Sequence, residues 1–179
     1  IKFNFRNKNL SFFLDSEVKF NPFFQTYTNI YINEFTYNFA NQINLSRLLQ
    51  NKNIIKKLNS KINIYYKNNK FFSNLVGLHS SNFQLSYGKL NFNNKTQITG
   101  GEVNCKGESV LTKDFPRLDF ECLLILDDAK KFFKKFSIKK KIDQNSINLN
   151  IKGSINLINK KVNFKKINAG ENYFANEED

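Results

Sequence analysis

The chain of 179 residues has no methionine and no tryptophan, and only two prolines, seven glycines, two cysteines and one histidine. Each shortage closes off some chemistry. His79 sits in a Ser-rich stretch with no carboxylate at a fixed spacing, so it reads as a surface side chain in a loop rather than a general base. No G-x-S-x-G, H-E-x-x-H or phosphate-cradling glycine loop occurs, and Gly100-Gly101 is a lone pair inside a strand pattern. Acidic residues number 15, and none cluster with the spacing of hard-metal ligands. The adjacent Asp127 and Asp128 suit a helix cap better than acid–base work. The expectation is a non-enzymatic protein with no cofactor and no metal site.

Arginine is equally scarce, at positions 6, 47 and 117 only, within 28 Lys and Arg and a net charge of +13. Proteins that read phosphates and base edges favour the arginine fork. Here lysine accompanies abundant Asn, Ile and Phe, all encoded by A- and T-rich codons, so the charge reads as base composition and no nucleic-acid partner is expected. A basic surface still attracts acidic lipid head groups. No apolar run approaches the roughly 18 to 20 residues that span a bilayer, and no secretory signal precedes the first strand pattern. The chain reads as an excerpt of a longer protein.

What is present is alternation. At 40% hydrophobic and 24% charged residues, the chain has the composition of a folded domain. In "INLNIKGSINLINKKVNFKK", residues 147–166, Ile147, Leu149, Ile151, Ile155 and Leu157 alternate with polar residues, and Val162 and Phe164 continue the beat. Centring that hairpin on Asn159-Lys160 pairs Leu157 with Val162 and Ile155 with Phe164. At the other end, an Asn7-Lys8 turn pairs Phe5 with Leu10, Phe3 with Phe12 and Ile1 with Leu14. "EVKFNPFF" supplies a third strand with Val18, Phe20 and a Pro22 that marks an edge or bend. Further strands are "YTNIYINEFTYNF", "KINIYY" with Ile62 and Ile64, "FQLSYGKLNFN", "TQITGGEVNCKGE" and "RLDFECLLILDD", with the glycines at 88, 100 and 101 as breaks. Residues 67–81 read as a loop anchored by Leu75, Val76 and Leu78.

Helical spacing appears twice. Leu45, Leu48, Leu49, Lys52, Ile55 and Leu58 mark a helix near 46–59 with Ser46 as N-cap. Ala129, Phe132, Phe133 and Phe136 mark an amphipathic helix near 128–137 with a Lys-rich outer face and Asp128 as cap. The fold class is mainly β, with about ten antiparallel strands joined by short connections and two short amphipathic helices. Either two sheet halves close on each other or the sheet curls and leaves a trough.

The two cysteines fit no C-x-x-C or zinc spacing. A hairpin turning between Lys113 and Asp114 sets Val103 opposite Leu124 and Cys105 opposite Cys122, about 4.5 to 5.5 Å between Cβ atoms. Such a pair is either a disulfide or two small hydrophobes on the apolar face.

The pieces "GGEVNCKGE", "DFPRLDFECLLILDDAKKFFKKFSI", "LNIKGSINLINKKVNFKKI" and "NYFANEED" together resemble the C-terminal region of the AsmA family. Upstream, "EVKFNPFF", "SRLLQNKNIIKKLNSKINIYY" and "LSYGKLNFNNKTQI" resemble the preceding part of that region, so the likeness covers most of the chain as a single unit. Residues 1–99 form its first sheet segment and 100–179 its second. AsmA-like proteins are similar to TamB and bridge-like lipid-transfer proteins. The resemblance implies a long curved meander sheet with an apolar, β-taco-like groove. It also implies a periplasmic location and an inner-membrane anchor outside this chain. The implied role is phospholipid transport in outer-membrane biogenesis, with phospholipid and outer-membrane assembly proteins as partners. No catalytic residues carry over; Gly153 and the helix phenylalanines match as structure. The lipid-facing lining expected on this reading is Phe3, Phe5, Phe12, Val18 and Phe20, then Ile62, Ile64, Val103, Phe120 and Leu124, then Ile151, Ile155, Leu157, Val162 and Phe164. The alternative is a scaffold for outer-membrane assembly that works through protein contacts alone.

Overall fold

A computed structural model describes residues 1–8, 10–20, 24–35, 49–67, 76–138, 145–169 and 173–174. The alternating stretches become β1 (Lys2–Arg6), β2 (Leu10–Lys19), β3 (Gln25–Phe35), β4 (Asn59–Lys67), β5 (Val76–Ser86) and β6 (Lys89–Ile98). They continue as β7 (Gly101–Val110), β8 (Arg117–Leu126), β9 (Ile147–Asn156), β10 (Val162–Ala169) and β11 (Tyr173–Phe174). All eleven lie in one sheet in chain order, with β1 and β11 at opposite edges. The mainly β expectation holds. The expected curvature does not: the sheet is open and uncurled. Curling needs bulges or kinks, and the ladders from β6 through β9 run without a register shift. The shifts occur in the β2–β3, β5–β6 and β9–β10 pairs, after Ser11, after Val76 and after Phe164.

The all-antiparallel expectation fails at one place. β3 and β4 pair in parallel, Gln25 with Asn59 through Ile32 with Tyr66. Parallel neighbours need a crossover of a dozen or more residues, and residues 36–58 provide it (58 − 35 = 23).

Hairpin registers correct several expectations. Phe5 faces Phe12 and Phe3 faces Leu14, two positions from the expected pairing, because Asn7 and Leu10 close the turn. The last hairpin is displaced in the same way: Val162 faces Ile155, Phe164 faces Gly153, and Leu157 lies in the turn. A slip of two preserves the face of every side chain, whereas a slip of one would invert it. "LSFFL" and "EVK" form one continuous strand, β2, instead of two. Residues 76–81 are strand rather than loop. Gly88 and Gly100 sit in the β5–β6 and β6–β7 turns and do not interrupt strands. Tyr87 and Gly88 have φ of 48° and 93°, the paired positive values of a tight hairpin turn. Pro22, Leu45, Ser46, Leu48 and Leu75 fall outside the described residues.

Both helices are shorter than expected. α1 is Lys52–Ile55, just after helical Leu49 and Gln50, and α2 is Ala129–Lys135. Asp128 caps α2, its Oδ1 accepting from the Lys131 amide at 2.9 Å, as the sequence predicts. Each helix covers one end of the sheet. Ile55, 1% exposed, packs with Leu49, Leu111, Leu85, Leu90 and Leu157. At the other end Leu126 and Ala129 are fully buried, and the amides of Asp127 and Asp128 both donate to Gly100 O at 3.0 Å. Between these ends no second layer lies on the sheet among the described residues. The accessible surface is 12787 Å² at 21.0 kDa, whereas a compact monomer of that mass exposes about 9,000 Å².

Candidate functional site

Register decides which side chains share a face. One row crosses six strands, Ile62–Phe83–Phe92–Gly107–Phe120–Gly153, and ends at Phe164 on β10. Phe83 and Phe92 stack at 6.2 Å, and Phe120 meets Phe164 edge-on at 6.4 Å. The two glycines make room for these rings. A Cβ at Gly107 would lie 2.5 Å from Phe92 Cε1, and one at Gly153 would lie 2.7 Å from Phe120 Cζ. The next row holds Phe3, Leu14, Ile30, Ile64, Ser81, Asn94, Cys105, Cys122 and Ile151, and the one beyond holds Phe5, Phe12, Ile32, Tyr66, His79, Thr96, Val103, Leu124 and Leu149, so both rows turn polar on β5 and β6.

Of the lining expected from the sequence, all but Phe20 and Leu157 lie on this one face. Phe20 follows β2, is 75% exposed and packs its ring against Phe24. Leu157 joins the Ile55 cluster at the sheet end. Most of the face is only half-buried, flanked by neighbouring strands but not covered from above; Phe3 and Phe164 are 50% and 58% exposed. Sequence reasoning missed Phe83, Phe92, Ile30 and Ile32. Recognising the Tyr87-Gly88 turn would have set Phe83 against Phe92 and found two of them.

Cys105 and Cys122 are directly opposite, as the hairpin predicts, and are joined as a disulfide with Cα atoms 4.1 Å apart. His79 is not a loop residue. It lies in β5 on the apolar face, with Nδ1 2.7 Å from Thr96 Oγ1 and Nε2 2.7 Å from Ser81 Oγ. Burial pushes its pKa below the usual histidine value. Ser16 pairs with Thr28 and Thr26 with Ser60 in the same way, whereas the buried Ser109 Oγ has no hydrogen-bond partner among the described residues. The face thus presents few unmatched polar atoms to a ligand.

The opposite face is mostly polar, apart from a Phe13–Tyr31–Tyr65 stack, and most of its polar groups are paired, with Asn150 Oδ1 and Asn168 Oδ1 left without a partner among the described residues. Asn63 donates to Tyr27 Oη and Asn29 Oδ1 and accepts from Asn82. Lys106 and Lys152 both reach Glu121, at 3.3 and 3.0 Å. Hydrogen bonds from Lys152, Asn150 and Lys106 hold the Glu121 pKa down to about 2. Lys89–Glu108, Lys95–Glu102 and Lys165–Asp119 pair in the same manner. Such an arrangement keeps one face in water and leaves the other for apolar contact.

No metal-holding group of three or more His, Cys, Asp or Glu side chains occurs among the described residues, and no helix among them is long and apolar enough to cross a membrane. No protein-family model, curated protein or solved structure matches the chain.

Proposed function

We propose that this chain is a non-enzymatic segment that holds or conducts phospholipid acyl chains on its apolar face. The observation that carries the reading is the mainly apolar face that runs across β1 to β10, with helices at its ends and no second layer over it among the described residues. Aliphatic chains suit such a surface because their binding scales with buried area, about 0.8 kcal/mol per CH₂, and needs no fixed polar contact. On this reading the open sheet supplies the lining of a groove whose remaining wall lies in the rest of the protein. The resemblance to the AsmA family supports the same role and, with it, a periplasmic place, an anchor in the inner membrane and a part in outer-membrane assembly. The disulfide fits an oxidising compartment.

Native mass spectrometry of the purified protein tests the proposal. Co-purified phospholipid is expected on the wild type and is lost in a folded Phe120→Asp, Leu124→Asp, Ile151→Asp variant. Retained lipid in that variant removes the face from the mechanism.

One observation favours a second reading. β1 pairs only with β2, leaving an edge that a partner strand can extend. A scaffold working through that edge would purify with a stable protein partner and no lipid.

A further inference from the structure

Five lysines on the polar face of the sheet have carboxylate partners: Lys89, Lys95, Lys106, Lys152 and Lys165 each sit within 3.3 Å of a Glu or Asp, and Lys61 lies over the Tyr27 ring. Lys52 of α1, at one end of the sheet, pairs with Asp114. At the other end the pattern breaks. Lys131, Lys134 and Lys135 of α2 line an open cavity of about 550 Å³ together with Ile98, Thr99 and Gly100, and none of the three has an ion-pair partner among the described residues. The carboxylates of that segment, Asp127 and Asp128, precede the helix, and Asp128 is engaged in its cap. Three like charges around one hollow repel each other and attract an anion.

The hollow adjoins the apolar face. Ile98, one of its walls, is the last β6 residue in the ladder and faces Gly101, which in turn faces the buried Leu126. Beside the lysines, Phe136 and Ile138 are exposed. Cationic groups therefore stand where the apolar surface ends, as the phosphate of a phospholipid adjoins its acyl chains.

Resting on the lipid-holding reading, we propose that Lys131, Lys134 and Lys135 form the phosphate site for the head group of a phospholipid whose tails lie on the apolar face. The test compares wild type with a Lys131→Gln, Lys134→Gln, Lys135→Gln variant and with the matching triple Arg variant. The probes are phosphatidylglycerol and diacylglycerol with identical acyl chains, presented in detergent micelles and counted by native mass spectrometry. The Gln variant is expected to lose phosphatidylglycerol affinity at least about tenfold, with diacylglycerol unchanged and the Arg variant restored. Equal phosphatidylglycerol binding by wild type and Gln variant overturns the head-group site and leaves the lipid-holding reading intact. A wild type that takes neither lipid overturns both. Glycerol 3-phosphate that binds wild type in the absence of tails, with phosphatidylglycerol no tighter, identifies a free-phosphate site and overturns the lipid assignment.

Discussion

Gly107→Ala is the sharpest test of the phenylalanine–glycine row. A Cβ at this position would come within 2.3 Å of Asp119 O and 2.5 Å of Phe92 Cε1, with Phe120 Cα at 3.2 Å. The Phe92 ring can tilt away. The Asp119 carbonyl belongs to the β7–β8 ladder and yields only if the strands part. Overpacking of this kind costs about 1–3 kcal/mol, and the alanine recovers roughly 0.4–1 kcal/mol by restricting the unfolded chain. The net loss is about 1–2 kcal/mol. Gly77→Ala is the internal control: its nearest neighbour is Gln97 Cβ at 3.5 Å, an ordinary contact, so only the unfolded-state gain remains. Urea denaturation reads both. At a slope of about 2 kcal/mol per molar, Gly107→Ala lowers the midpoint by roughly 0.5–1 M while Gly77→Ala leaves or raises it. Phe92→Leu added to Gly107→Ala restores part of the loss, since it frees the ring contact and not the carbonyl contact. Equal midpoints for the two alanine variants would refute the packing account of the row.

Reducing Cys105–Cys122, which spans a sequence separation of 17, is expected to lower stability by about 3 kcal/mol on the chain-entropy model; denaturation with and without reductant measures it, and coincident curves would contradict it. Glu121 has a folded pKa of about 2 against an ordinary 4.5, so its contribution is complete above pH 4.5 and disappears as pH falls toward 2. Glu121→Gln should therefore flatten the acid limb of a stability–pH curve and leave its neutral part the less changed for higher salt. Ile55→Ala empties the fully buried site under α1 and is expected to cost about 2–5 kcal/mol; a loss below about 1 kcal/mol in urea denaturation would mean that this end of the sheet collapses freely.

The faces of the strands were legible from the sequence because they depend on parity alone. Phe3, Ile62, Val103, Phe120 and Ile151 have no local feature in common beyond alternation, yet register brings them to one side. Pairing needs more, since the turn must be placed to the residue. It was right at Cys105–Cys122, and two positions off at Phe3–Leu14 and Val162–Ile155, where the side-chain bonds of Asn7 and Asn156 help set the reversals. The parallel β3–β4 pair was illegible because it depends on the path of residues 36–58 rather than on any strand's own pattern. His79 misled for a related reason: a serine-rich stretch resembles a loop until Ser81 and Thr96 are seen to satisfy its ring across the sheet.

An apolar face this broad is a liability in water. Soluble monomers seldom expose contiguous apolar patches larger than a few hundred Å², and the two short helices cover only the ends. Among the described residues nothing covers the middle. A folded partner would have to match its relief closely, because Gly107 and Gly153 sink the surface between the rings of Phe92, Phe120 and Phe164. Fluid acyl chains fill such hollows without complementary shape, and they gain from area alone. Most polar groups of the face are already turned toward each other, Ser16 to Thr28, Thr26 to Ser60 and His79 to Thr96 and Ser81, with Ser109 Oγ the exception, so a covering layer with no hydrogen-bonding atoms strands few of them. On the proposed lipid-holding role this surface suits hydrocarbon chains, and the scaffold alternative works through the β1 edge.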